Sequence, residues 1–118
     1  MAKLLIVDDD SGILSALKRS LRREGWNIVL ADSPGKALSI LDRGSVDLVL
    51  SDHKMPGMTG TELLAEVARR SPSTTRMLIT GWSAAVSSEE VSEIGIKALI
   101  PKPWDDSELK SVLREHLG

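Results

Sequence analysis

Apolar and polar residues alternate in two rhythms along the chain. Short unbroken apolar runs occur at Lys3 to Val7, Trp26 to Leu30, Val46 to Leu50, Arg76 to Ile79 and Ala98 to Ile100. Their length and β-branched content predict strands buried on both faces. Between them, apolar residues recur every three or four positions, the spacing of one inward helix stripe. The stripes are Ile13, Leu14, Leu17 and Leu21; Ala37, Leu38 and Leu41; Leu63, Leu64 and Val67; Val86, Val91 and Ile94; and Leu109, Val112, Leu113 and Leu117. Start and stop signals frame them. Asp10 or Ser11 can cap the first helix and Gly25 ends it, while Ser33 with Pro34 starts the second and Gly44 ends it. Thr59 with Glu62, and Asp105 with Glu108, have capping-box spacing for the third and fifth. The fourth, Ser83 to Glu93, is rich in Ser and poor in apolar residues, so it is expected to be the least firmly held.

Five strands alternating with five helices predict an α/β fold: one parallel sheet, helices on both faces, right-handed crossovers. For a single small doubly wound sheet, the flavodoxin-like strand order 2-1-3-4-5 is the leading choice. Strands two and five are then edges, where Pro101, with no N–H to donate, is tolerated. A chain of 118 residues suits one domain, taken to span residues 1–118. With 42% hydrophobic and 27% charged residues it has the make-up of a soluble globular protein. A net charge of −2 argues against a broad nucleic-acid or anionic-membrane footprint. The absence of cysteine excludes disulfides, thiolate metal sites and a Cys nucleophile. No charged leader or long apolar span precedes the first strand, so the cytoplasm is the expected compartment.

In open α/β sheets ligands bind beyond the carboxyl ends of the strands. The predicted order brings Asp8 and Asp9, Asp52, Thr80 and Lys102 together there from four separate strands. Asp52 sits where an apolar run stops before Met55-Pro56-Gly57, which continues neither strand nor helix. Three converging carboxylates repel, and one would have its pKa raised unless a cation intervenes. Oxygen-only ligation without Cys or His suits a hard ion, and Mg²⁺ fits a site this sparse. Phosphoryl transfer then needs an in-line nucleophile and cations on the transferring oxygens. Asp52 is assigned as the phosphoacceptor, Lys102 as the second cation, and Thr80 as a hydroxyl for one phosphoryl oxygen. The product, an acyl phosphate, is readily hydrolysed, which suits a transient switch more than bulk turnover.

At these residues the sequence resembles the receiver domain of two-component response regulators. The resemblance covers essentially the whole chain: Leu-Leu-Ile-Val-Asp8-Asp9-Asp10, Ser51-Asp52, Met55-Pro56-Gly57-Met58-Thr59-Gly60, Thr80-Gly81 and Lys102-Pro103. It implies that a phosphohistidine on a sensor histidine kinase or phosphotransfer protein modifies Asp52. It also implies that Asp9 binds Mg²⁺ directly, Asp8 assists through water, the backbone carbonyl of Lys54 is a further ligand, and the Lys102–Pro103 bond is cis. Such a chain is a phosphoacceptor that assists its own phosphorylation and dephosphorylation, not a turnover enzyme. Its output is a change in the face formed by the fourth helix, fifth strand and fifth helix, toward an output domain, a protein partner or a second copy in a homodimer. Four positions stand out against the pattern. Leu99 stands where the family often has Tyr or Phe. Lys54 and Trp82 flank the site, where Trp82 is expected to shield the acyl phosphate from water. Trp104 replaces a commoner Phe, as in receivers attached to HD-type cyclic-dinucleotide phosphodiesterase domains.

Blander readings stand beside these. Asp8-Asp9-Asp10 can be a solvated helix start, Asp52 an Asx-turn residue, and Lys102 a surface lysine. His53 reads as an exposed loop residue, His116 as a cation complementing the last helix's dipole, and Trp26 as packing at an edge strand. Trp82 and Trp104 read equally as core covers or partner surface. A competing function is a small α/β phosphohydrolase with Asp8 as nucleophile and Asp10 as general acid, though Lys102-Pro103 then has no role. A nucleotide or flavin binder lacks its Gly-rich phosphate fingerprint after the first strand.

Overall fold

The computed structural model describes residues 1–81 and 86–118. Strands β1 (Lys3–Val7), β2 (Asn27–Ala31), β3 (Leu48–Asp52), β4 (Thr75–Thr80) and β5 (Ile96–Pro101) alternate with helices α1 (Ser11–Leu21), α2 (Pro34–Arg43), α3 (Gly60–Arg70), α4 (Ser88–Ile94) and α5 (Asp106–Leu117). A 3-10 turn, Arg22–Glu24, follows α1. The strands are parallel in the order β2-β1-β3-β4-β5.

Successive strand residues point to opposite faces, so one sheet serves two cores. Leu5, Val7, Val49, Leu78 and Ile96 meet Ala37 and Leu41 of α2 and Leu63, Leu64 and Val67 of α3. Leu4, Ile6, Leu48, Leu50, Met77, Ile79 and Ile100 meet Leu14, Leu17 and Leu21 of α1 and Leu109 and Leu113 of α5. The unbroken apolar runs follow from this double burial.

Element ends shift from the expected ones for physical reasons. β3 begins at Leu48 and ends at Asp52, two residues later than its apolar run suggested, because its ladder with β4 runs from Leu48 opposite Thr75 to Asp52 opposite Ile79. Val46 is buried just ahead of it. β2 begins at Asn27, with Trp26 before it, and β5 begins at Ile96, where pairing with β4 is irregular between Arg76 and Met77.

α4 begins at Ser88; positions 83–85 of the expected helix lie outside the described residues. Ser87 forms a capping box with Glu90, and Val86 is buried outside the helix. Its own residues are only half-buried at best, with Val91 and Ile94 packed on the core. The other end is held differently. Arg76 of β4 donates from Nε to the Ile94 carbonyl (2.9 Å) and from Nη1 to the Thr74 carbonyl (2.8 Å). Gly95 ends the helix at a left-handed φ of 74°, and a Cβ there would lie 2.8 Å from Arg76 Nη2. Among the described residues no helix is long and apolar enough to cross a membrane.

Candidate functional site

Each strand of the central trio ends at one carboxyl-edge residue of the site. Asp8 directly follows β1, and Asp52 and Thr80 are the last residues of β3 and β4. All three are buried, with Asp8 1%, Asp52 6% and Thr80 5% exposed. Lys102, just past edge strand β5, is half-buried and donates its backbone N–H to the Thr80 carbonyl at 3.1 Å. The Lys102–Pro103 peptide bond is cis.

The three N-terminal acids divide their work. Asp10 caps α1, its Oδ1 accepting from the N–H of Gly12 (2.9 Å) and Ile13 (3.3 Å). The helix-start reading therefore accounts for Asp10 alone. Asp8 Oδ1 accepts from the Asp10 N–H at 2.9 Å, while its buried Oδ2 has no hydrogen bond among the described residues and lies 3.6 Å from Lys102 Nζ. Asp9 is exposed. One carboxylate oxygen from each of Asp8, Asp9 and Asp52 lies within 4.8 Å of the others. Lys102 Nζ donates to Asp52 Oδ1 at 3.1 Å.

A single ammonium thus faces two buried carboxylates. Burial, then the charges of Asp52 and Asp9, hold the Asp8 pKa above 3.8 despite the Asp10 N–H and Lys102. Burial works against the Lys102 ammonium, but the hydrogen bond and charge of Asp52, then the charge of Asp8, outweigh it and raise its pKa above 10.5. The acceptor-only oxygens, one of them unsatisfied, fit a hard divalent cation; sulfur and imidazole ligands are absent from the cluster. Lys54 lies exposed in the loop two residues beyond Asp52.

Sequence reasoning missed what fixes the Asp52 backbone. A Cβ on Gly60, the first residue of α3, would sit 2.3 Å from the Asp52 carbonyl oxygen and 2.8 Å from the His53 Cα. The Gly60 N–H donates to the His53 carbonyl at 2.7 Å, and Ser51 Oγ donates to the Asp52 carbonyl at 2.8 Å. The available signal was a glycine inside a capping-box helix start, where a good helix former would otherwise serve.

Other singled-out residues fall as follows. His53 is half-buried, not exposed, and its buried Nδ1 has no partner among the described residues. Trp26 is 8% exposed in the α1/α5 core beside edge strand β2. Trp104 covers the same core, donating from Nε1 to Asp106 Oδ1 at 3.2 Å. Leu99 packs half-buried on the opposite core. His116 Nδ1 lies 3.1 Å from the Val112 carbonyl in the exposed last turn of α5. The position of Trp82 lies outside the described residues.

An acidic cluster and one lysine thus meet at the carboxyl edge of a doubly wound parallel sheet, where such folds bind their ligands. The family model of the response regulator receiver domain matches residues 4–114, and the chain belongs to that family. It is 34% identical over 116 residues to the transcriptional regulatory protein GlrR of Escherichia coli (strain K12), a match covering 98% of this chain and 26% of that protein. The chain therefore spans about a quarter of the length of this curated relative. Among solved structures, it is similar to the signal receiver domain of an HD domain-containing protein from Pseudomonas fluorescens Pf-5. That match has 36% identity and a TM-score of 0.92, covering 98% of this chain and 86% of the other. It is also similar to the response regulator protein TrrA of Thermotoga maritima, crystallised in complex with Mg(2+)-BeF. There the identity is 30% and the TM-score 0.90, with coverage of 99% and 100%.

Proposed function

We propose that this receiver domain is a phosphorylation switch in which Asp52 takes a phosphoryl group from a phosphohistidine of a sensor kinase or phosphotransfer protein. The observation that carries the reading is the meeting of Asp8, Asp9 and Asp52 oxygens within 4.8 Å, with Lys102 Nζ 3.1 Å from Asp52 Oδ1. In the transfer the donor's P–N bond breaks and a P–O bond forms to an Asp52 carboxylate oxygen, giving an acyl phosphate. Asp9, Asp8, Asp52 and the Lys54 carbonyl are the residues that would hold Mg²⁺. Bound there, the ion supplies positive charge against the phosphoryl oxygens.

The chain's own groups do the rest. Lys102 is already held against Asp52 and lies close enough to follow a phosphoryl oxygen, supplying a second cation. Thr80, at the neighbouring strand end, offers its hydroxyl to another oxygen. Gly60 and Ser51 fix the Asp52 backbone, so the carboxylate is positioned before the donor arrives. A phosphoryl group adds about −1.5 to −2 charges beside Thr80, and α4, the next helix in the chain, is the one with least burial. The α4–β5–α5 face is then the natural output toward a partner, with the mark later removed by water. The working compartment in this reading is the cytoplasm, where a kinase has access to ATP.

Acetyl phosphate with Mg²⁺ tests the reading. Wild type should gain one phosphoryl mass, located on Asp52 by borohydride trapping and peptide mapping, and Asp52→Asn should gain none. A label on Asp8 would overturn the assignment in favour of a phosphohydrolase-like nucleophile.

A further inference from the structure

We propose that the groove between α1 and the outer edge of β2 docks an acidic, amphipathic segment of a partner protein. The groove, about 450 Å³, is lined by Ser15, Lys18, Arg19, Arg22 and Leu30. The helical positions recur at three- and four-residue spacing on the flank beside buried Leu14, Leu17 and Leu21. Arg23 adds a further cation beyond the helix end. Leu30 is a half-buried residue of β2, an edge strand whose Ile28 and Val29 are also only partly covered.

These cations differ from several others on the molecule. Lys36, Arg69, Arg70, Lys102 and Arg114 each form an ion pair. Among the described residues Lys18, Arg19, Arg22 and Arg23 form none. The adjacent acid, Glu24, is held instead by Arg114, whose Nη2 donates to Glu24 Oε2 at 3.0 Å. The helix dipole favours cations in the last turn of α1, yet it does not call for them around an apolar floor beside an open strand edge.

The chemistry selects the occupant. Three unneutralised cations lining the groove, with Arg23 beyond them, attract carboxylates, and the Leu30 floor takes one or two aliphatic side chains. A nucleic-acid backbone has nothing to place on that floor. It would also approach a chain whose net charge is −2 with these four cations already counted, so that the remainder is more acidic still. The inference is independent of the chemistry at Asp52.

The test is an NMR titration of the ¹⁵N-labelled chain with a synthetic helical peptide carrying Glu on one face and Leu at every third or fourth position. Amide shifts should concentrate in α1 and β2. The double variant Lys18→Glu/Arg22→Glu, checked for an unchanged melting curve, should bind at least about tenfold more weakly. Leu30→Thr, which keeps every charge, should also weaken binding, as should replacing the peptide's leucines with serine. No peptide binding, shifts elsewhere on the molecule, or equal affinity in the charge-reversed variant would overturn the proposal. So would heparin or phosphatidylserine vesicles moving the same amides as strongly as the peptide. Self-association by sedimentation that disappears on charge reversal would replace the partner with a second copy, and overturn it as well.

Discussion

At the amino edge of the sheet, Thr74 is 2% exposed and its hydroxyl donates to the Val46 carbonyl at 2.7 Å, with Ser71 Oγ also 2.7 Å away. Asp47 Oδ2 accepts from the Lys3 N–H at 2.7 Å, and Arg76 engages the Ile94, Thr74 and Pro72 carbonyls. At the carboxyl edge, equally buried Asp8 keeps one oxygen without a hydrogen bond among the described residues, and two buried carboxylates share one ammonium. The amino-edge groups just named are satisfied and stabilise the fold. The other leaves charge unbalanced, and in the proposed function that imbalance would attract a cation and a phosphoryl group.

The largest expected effect tests whether the carboxyl edge is nonetheless rigid. Gly60→Ala drives a methyl group into the Asp52 backbone and should cost about 3 kcal/mol in urea unfolding. A loss under about 0.5 kcal/mol would mean the loop yields easily. Next comes the missing charge: Mg²⁺ at about 100 times its Kd should stabilise wild type by about 2.7 kcal/mol. Asp9→Asn should abolish most of that gain in a thermal melt. At the satisfied edge, Thr74→Val leaves the Val46 carbonyl without its donor and should cost about 2 kcal/mol. Without metal, Asp52→Asn should instead stabilise by about 1 kcal/mol, because it relieves repulsion at a functional edge. If both substitutions destabilise alike, the contrast between the edges fails.

The smallest effects are in pH. Asp8 has its folded pKa above 3.8, so as pH rises from 3.8 through that higher value the folded state retains a proton the unfolded chain has lost. Stability contributed by Asp8 falls across that window. Lys102 has its folded pKa above 10.5; its contribution is complete below 10.5 and is lost as pH rises through the folded value. Subtracting the metal-free stability profiles of Asp8→Asn and Lys102→Met from wild type should isolate one downward slope each. A difference profile flat in pH would mean that the group feels no net field.

Much of this was legible because the informative residues sit where apolar runs stop. The runs ending at Val7, Leu50 and Ile79 located the sheet, its order and the residues gathered at its edge. Strand limits slipped by one or two positions because ladders extend past apolar residues: Asp52 pairs opposite Ile79 as firmly as Leu50 pairs opposite Met77. Long-range geometry was not legible. Nothing local in Arg76 announces that it bonds the Ile94 carbonyl eighteen residues away, and nothing in Gly60 announces that its missing side chain makes room for Asp52. The true start of α4 was readable in Ser87 and Glu90, but the serine-rich stretch ahead of it hid which serine is the cap. His53 misled because a polar residue after a strand reads as exposed, whereas the close approach of Gly60 folds the chain back over it.

The guanidinium of Arg76 fixes the tail of α4 to the frame, and Gly95 fits against it without a side chain between. The leading turn carries its own Ser87–Glu90 box, with buried Val86 just ahead of it. Such a helix is a door hung at its far end. In the proposed switch the leading turn would shift and the tail anchored by Arg76 would stay put.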